Sequence, residues 1–361
     1  MNALERYKGL ILIKKINNEK EEELVKQLRE DGKTVYSISR INTFNGCSFE
    51  YYNTYIKKNR GINNCYGEVG ITIHEYIESV YRENIKDTSD FTQKLHTKLL
   101  ELEIMDLDFP SETIKNSFVK DMEHFTKNFN KLDGNFTLEK MFVTKIGEYY
   151  LMGYIDAIQE LDDTLNIVDW KTSSKFTGSK LLEAGRQLVI YKLGLENTSN
   201  ININEIKWAM LKYINVCWKL KNGNIKKKMV NRGKLIKEMK TTFEKEMIKS
   251  GLDELEIGLA LMNAEANNSF DNLPNVIKDK YWLEDCFVEY KATEEVVKEV
   301  EDYVINTIEE IENKDIHNES EWKPLDFDKE GTFYCNTLCS HRKTCPFIRE
   351  YNQKNPYKKS F

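Results

Sequence analysis

Proline and glycine are scarce, with 5 and 17 residues in a chain of 361. No Pro/Gly-rich linker divides the chain and no segment repeats at a fixed period, which excludes low-complexity and solenoid organisation. No apolar run approaches the roughly 20 residues needed to cross a bilayer, so a membrane-spanning helix is not expected. The stretch from Met1 to Lys15 lacks the charged start, long apolar centre and small-residue cleavage site of a secretory leader, and an intracellular chain is expected. A surplus of positive charge is missing as well. Lys and Arg number 53 against 59 Asp and Glu, a net charge of −6, which taken alone points away from nucleic acid. What is present is 40% hydrophobic and 31% charged residues, enough for a globular fold with a real core. The length allows two domains, or one domain with large insertions.

The average hides an asymmetry. Residues 201–250 carry 13 Lys/Arg against 4 Asp/Glu, whereas residues 251–320 carry 5 against 19. The basic block opens with an alternating apolar run from Trp208 to Trp218, has Asn222-Gly223 at its centre, and reads as a β-hairpin followed by a helix. Lys226, Lys227, Lys228, Arg232 and Lys234 lie in it. Such a block is either a solvated lysine-rich face or a surface that contacts phosphates, where cations supply affinity without sequence information.

The 7 cysteines are an odd number, so a disulfide framework is not expected. Cys335, Cys339 and Cys345 form a C-x3-C-x5-C array, and Cys47 is a distant fourth candidate. Thiolates grouped in this way select zinc or an iron–sulfur centre. Cys65, Cys217 and Cys286 read as buried thiols.

Along the chain, a helix is expected over residues 19–31, ending at Gly32. Ser37 caps another that runs through the aromatic stretch Phe44–Tyr55. A helix follows from Gly70 to about Asn84, then helices over 90–130 around Pro110. Strands are expected at Tyr149–Ile158 and Leu165–Trp170, joined by the turn residues Asp162-Asp163. Beyond them come a helix from about Leu181 to Leu195, the basic hairpin, helices at 233–250 and 253–264, a strand at 286–291 and a helix at 293–313. This order fits a mixed α/β core with helical insertions.

The chemistry concentrates in the two strands. Gly153-Tyr-Ile-Asp156-Ala and Ile167-Val-Asp169-Trp170-Lys171 are apolar except for one carboxylate near each end and a lysine two residues after the second. Alternation puts Asp169 and Lys171 on one face, with Asp156 on the neighbouring strand. Either carboxylate alone could simply cap a turn. Together with a lysine, on otherwise apolar strands, they are costly to bury unless paired or bound to a hard cation such as Mg²⁺ or Mn²⁺. His74 and Glu78 share one helical face at i, i+4, and so do Gln187 and Tyr191. Each of these pairs is also compatible with an ordinary polar stripe.

In order, Gly70-x3-His74, Asp156, Asp169-x-Lys171 and Gln187-x3-Tyr191 resemble the RecB-type branch of the PD-(D/E)XK nucleases. One cysteine before the histidine helix and three near the C-terminus resemble the AddB-type and CRISPR-adaptation members that carry a 4Fe–4S cluster. The resemblance spans about Ser37 to Pro346. It implies a restriction-endonuclease-like core, a central mixed β-sheet flanked by helices, with a C-terminal iron–sulfur clasp. The corresponding division is an N-terminal extension at 1–36 and a nuclease domain at 37–361. That domain holds a helical insertion at 85–135, the basic hairpin and helix at 201–250, and the cysteine loop at 333–347.

The resemblance further implies that His74, Asp156, Asp169 and the Trp170 carbonyl hold Mg²⁺ or Mn²⁺, and that Lys171 activates the attacking water. Gln187 and Tyr191 position the DNA strand or Lys171, and Glu78 supports His74. Cys47, Cys335, Cys339 and Cys345 ligate the cluster. The array departs from the family's C-x2-C-x5-C by one residue, and His341 within it leaves zinc open. No G-x4-G-K-[ST] loop is present, so a helicase, like an annealing protein or recombinase, would be a separate chain. The implied activity is that of a DNA exonuclease of recombination, repair or replication, in the cytoplasm (the host's, if phage-encoded). Its alternatives are a catalytically silent binding module, a CRISPR spacer-acquisition nuclease and a zinc-stabilised structural protein.

Overall fold

The computed structural model describes residues 18–356 except Asp163 and Asn200. Met1–Lys15 and the Asp163 half of the expected turn lie outside the described residues. A 7-stranded mixed sheet forms the centre. The antiparallel strands β2 (Asn135–Ile146), β3 (Tyr149–Leu161) and β4 (Thr164–Lys171) lead by a helical crossover to β5 (Glu205–Lys219), which runs parallel to β4. The hairpin partner β6 (Ile225–Asn231) and the later strand β7 (Tyr281–Tyr290) both pair antiparallel with β5, and the short β1 (Val35–Tyr36) pairs parallel with β3.

Helices cover both faces. α1 (Glu19–Glu30) packs Val25 and Leu28 on Met141 and Val143 of β2. α2 (Ile38–Gly46) is capped as expected, the Ser37 hydroxyl accepting from the Arg40 amide at 3.2 Å. The aromatic helix is not continuous, however. Cys47 is extended, its sulfur caps the next turn α3 (Ser48–Tyr51), and a π turn follows at Tyr52–Ile56. α4 (Cys65–Arg82) begins five residues before the expected Gly70. It lays Val69, Ile73 and Ile77 against Ala157, Val168 and Trp170 of the sheet. α5 (Phe91–Ile104) and α6 (Glu112–Lys127) flank it, as expected around Pro110. The opposite face is covered by α7 (Ser179–Ser199), whose Leu188, Val189 and Ile190 share a core with Ile155, Ile167 and Trp208.

β2 is the element the sequence pattern does not reveal. Met141, Phe142 and Val143 are buried in succession because the strand is covered on both faces, which erases the period-two alternation. The Asn222-Gly223 hairpin does form, with Gly223 at φ +86°. Beyond it, α8 (Leu235–Lys249), α9 (Glu254–Asn267) and the short α10 (Asn275–Lys278) build a further cluster on Ile214, Val216 and Val230. α11 (Glu294–Glu312) packs Val300, Val304 and Ile308 into the α7-side core. The chain then passes through the short α12 (Phe327–Glu330) and the cysteine loop to α13 (Pro346–Lys354). Among the described residues, no helix is long and apolar enough to cross a membrane.

Candidate active site

The site lies where β3 and β4 diverge. Their ladder runs from Leu161–Thr164 to Ala157–Val168 and stops one pair short of Asp156 and Asp169. At the fork the Asp156 carboxylate takes the place of a ladder partner, its Oδ2 accepting from the Trp170 amide at 3.1 Å. The same oxygen lies 3.6 Å from Nδ1 of His74 on α4. From the other face, Lys171 Nζ is 2.7 Å from Asp169 Oδ2 and donates to Gln187 Oε1 at 3.2 Å. Gln187 Nε2 in turn donates to the Tyr191 hydroxyl at 2.6 Å. His74, Asp156, Asp169, Trp170, Lys171, Gln187 and Tyr191, spread over more than a hundred residues of sequence, therefore meet at one sheet end. Gly70 permits the approach of α4: a β-carbon there would stand 3.3 Å from the Thr172 hydroxyl, just beyond Lys171.

The electrostatics follow from burial and from like charges. Burial, and then the neighbouring Asp169, raise the Asp156 carboxyl well above its usual range. Burial alone would lower the Lys171 pKa, but Asp169 and Asp156 outweigh it and raise the ammonium above its ordinary value. Burial and the Lys171 charge lower His74, which keeps its ring neutral, as a metal ligand must be. Asp169 is 1% exposed, and neither of its carboxylate oxygens has a properly directed hydrogen bond; Oδ2 has the close Lys171 ammonium, and Oδ1 has no partner. Two adjacent carboxylates, Asp169 buried with an orphaned oxygen and Asp156 partly buried, beside a neutral imidazole, are a donor set that suits a hard divalent cation. The set is convergent but not closed. Among the described residues, no group of three or more His, Cys, Asp or Glu side chains is arranged to hold a metal ion.

Glu78, expected to support His74, is engaged by other residues. It pairs with Arg82 at 3.3 Å and hydrogen-bonds Glu139, a β2 residue that sequence reasoning missed. Arg232, expected on the phosphate-facing surface, is instead 2% exposed and ion-paired with Asp285, so it serves the fold. Lys226, Lys227, Lys228 and Lys234 are exposed. Of these, Lys227 is paired with Glu284 and Lys228 donates to the Glu238 carbonyl. The strand that carries the first three pairs them with Val216, Cys217 and Trp218 of β5, six to eight residues beyond Met210, the register partner of Lys171.

The cysteine loop also folds onto the N-terminal region. All four candidate thiols are free, and Cys47 and Cys335 lie near enough to Cys345 for its charge to raise the pKa of each. Burial and this crowding push Cys335 to about 12, and burial with Glu50 raises Cys339 further. The extra residue in C-x3-C is taken up by a π turn at Tyr334–Leu338, which inserts one residue per turn. His341 is engaged elsewhere, its Nε2 bonded to the Thr54 hydroxyl at 2.9 Å. Gly61 lets the two ends touch: a β-carbon there would lie 2.4 Å from Ser340, and the Ile62 amide donates to the Ser340 carbonyl at 2.9 Å.

Residues 35–346 match the family profile of the PD-(D/E)XK nuclease superfamily. The chain belongs to that superfamily. No curated protein matches it. Among solved structures it is similar to the "Crystal structure of SSO0001" at 15% identity and a TM-score of 0.18, over 56% of this chain and 87% of that one.

Proposed function

We propose that the protein is a metal-dependent DNA nuclease with exonucleolytic bias, serving recombination, repair or replication. The observation that carries this reading is the buried Asp156–Asp169 pair at the strand fork, with Lys171 between them and α7. His74, Asp156, Asp169 and the Trp170 carbonyl would hold Mg²⁺ or Mn²⁺. When bound, the ion supplies Lewis-acid stabilisation of the phosphodiester and lowers the pKa of a coordinated water.

The chain's own residues do the rest. Lys171 stays an ammonium, so it acts as donor and counter-charge rather than as a base. Of its three N–H groups one faces Asp169 and one is held by Gln187, which leaves a third for the attacking water or a phosphate oxygen. The Tyr191 hydroxyl fixes the Gln187 amide, and that amide fixes the ammonium. The exposed lysines of β6 would hold the strand by its phosphates.

Asp169→Asn and Lys171→Ala should each reduce cleavage of end-labelled DNA in Mn²⁺ by at least about a thousandfold, on the scale of losing charge stabilisation at a reacting centre. Folding and most DNA binding should persist. Undiminished cleavage by both variants would overturn the assignment. Cys47, Cys335, Cys339 and Cys345 are read as ligands of a 4Fe–4S cluster that clasps the chain ends, with zinc on the same thiols as the alternative. Their convergence as free thiols supports this, and the hydroxyl-bound ring of His341 favours an all-thiolate set.

A further inference from the structure

We propose that Tyr154 is a base-stacking residue of this site: its exposed ring lines a groove beside Asp156, and that groove takes an unpaired base of a DNA single strand. The inference rests on the nuclease reading above and deepens it by naming the form of the substrate.

The direction of the ring is set by β3 itself. A β-carbon on Gly153 would stand 2.8 Å from the Phe142 ring and 3.5 Å from Tyr191 of α7, so position 153 looks toward α7. Alternation turns its neighbours Met152 and Tyr154 to the opposite face, where Met152 packs with α1. Asp156 looks the same way, because its Oδ2 lies 3.6 Å from Nδ1 of His74 on α4. Tyr154 and Asp156 thus share one face of the sheet, two positions and about 6.8 Å apart along the strand. A nucleotide stacked on the ring therefore lies next to the carboxylate.

The surroundings leave the ring free. Tyr154 is 41% exposed, although Leu151 and Ile155 of the same strand are fully buried. Among the described residues no other ring stacks on it and no hydrogen bond engages its hydroxyl. It lines an open groove of about 440 Å³ between α1 and the β2–β3 ladder, together with the thioethers of Met141 and Met152. A single exposed aromatic is ordinary on a protein surface. An unpartnered ring in a concave site, one strand step from Asp156, is a stacking platform, since every base has a π-face to lay on it. The rim decides what form of DNA enters. Lys26 and Arg29 are matched there by Glu22 and Glu30, so the groove has no surplus of cations for phosphates. Arg29 is also turned inward, donating to the Met152 sulfur at 3.9 Å. The groove therefore selects by stacking, and its ligand is a base released from its complement.

The test uses the full-length protein and a fluorescently labelled oligothymidylate, with binding read by anisotropy in EDTA. Tyr154→Ala should weaken binding by about tenfold, toward the low end of one base–aromatic stack, whereas Tyr154→Phe, which keeps the ring, should stay within about twofold of wild type. The loss should be the same at low and high salt, because stacking releases no counterions. On an oligomer of abasic sites, which has the phosphates without the bases, wild type and the Ala variant should bind alike. In Mn²⁺, cleavage of sub-saturating single strand should fall by the same factor as binding. Both variants should melt with the wild type, since the ring is exposed. An Ala variant that binds oligothymidylate as tightly as wild type would sink the proposal, and so would an equal loss on the abasic strand or a wild type with no affinity for single strands. A wild type that binds the strand but never cleaves it in Mn²⁺ would overturn the nuclease reading and leave the stacking role standing.

Discussion

At the scale of single residues, burial sets the charge state of each functional group and neighbours correct it. Lys171 and His124 illustrate the two outcomes. Lys171 is kept protonated by two carboxylates, whereas His124, with burial and Arg232 acting on it, falls to about 4. The sign follows from linkage. A histidine whose folded pKa lies below its unfolded value of 6.5 leaves stability intact above that pH and removes it as pH falls toward about 4. His124→Gln should therefore flatten the acid limb of the stability curve by about 3 kcal/mol, as read from urea unfolding between neutral and acidic pH. Most of the site was legible at this scale. Asp156, Asp169 and Lys171 stand out because charged groups on apolar strands need a reason. His74 with Glu78, and Gln187 with Tyr191, stand out because i, i+4 spacing shares a helical face. Glu139 was not legible, since nothing in Leu-Glu-Lys-Met marks a left-handed residue within a strand.

At the scale of elements, helices with one apolar stripe were found nearly to their ends, and the segments where the chain departs from regular geometry were not. The aromatic helix breaks at Cys47 because the thiol caps the next turn, and the residues after it wind into a π turn. That break packs Tyr51 and Tyr52 on Trp322, with ring centroids 5.7 and 5.2 Å away, while Phe44 meets the indole edge-on. Trp322 is 1% exposed, so it joins the N-terminal helices to the chain after α11. Trp322→Ala should cost about 3–5 kcal/mol of stability in denaturant titration, the range for deleting a large buried aromatic. A loss below about 1 kcal/mol would show that the stack is not a structural joint.

At the scale of the whole molecule, the segment before α4 and the cysteine loop are closed on each other. The Arg342 guanidinium donates to the Ile62 and Asn63 carbonyls, both at 2.7 Å, and Asn64 donates to the Leu338 carbonyl at 2.9 Å. The four thiols stand at this closure, each buried or partly buried, and burial raises the pKa of Cys47, Cys335 and Cys339. Metal capture requires the thiolates, so it releases protons and ties metal content to folding. Anaerobically purified protein should be brown with stoichiometric iron and sulfide, and iron chelation should lower its melting temperature by several degrees. A colourless protein with stoichiometric zinc would overturn the iron–sulfur assignment. The charge asymmetry also takes its meaning at this scale, because the sheet register sets the exposed β6 lysines on the far stretch of β5, six to eight residues beyond the register partner of Lys171, whereas the net charge of −6 is an average over opposed segments.

The sequence by itself determined the order of the later elements from β3 onward, the carboxylate–lysine strand, the histidine and glutamine helices and the grouping of three cysteines. All of these are written in local periodicity, which obeys the geometry of a helix or strand wherever the segment ends up. Only the tertiary structure decided that β3 and β4 diverge just before Asp156 and Asp169, that Arg232 is buried, that Glu139 is kinked toward Glu78, and that Cys47 meets the C-terminal loop. Each of these depends on which distant segment comes to lie alongside, and burial and pairing across such contacts are set by packing rather than by spacing along the chain.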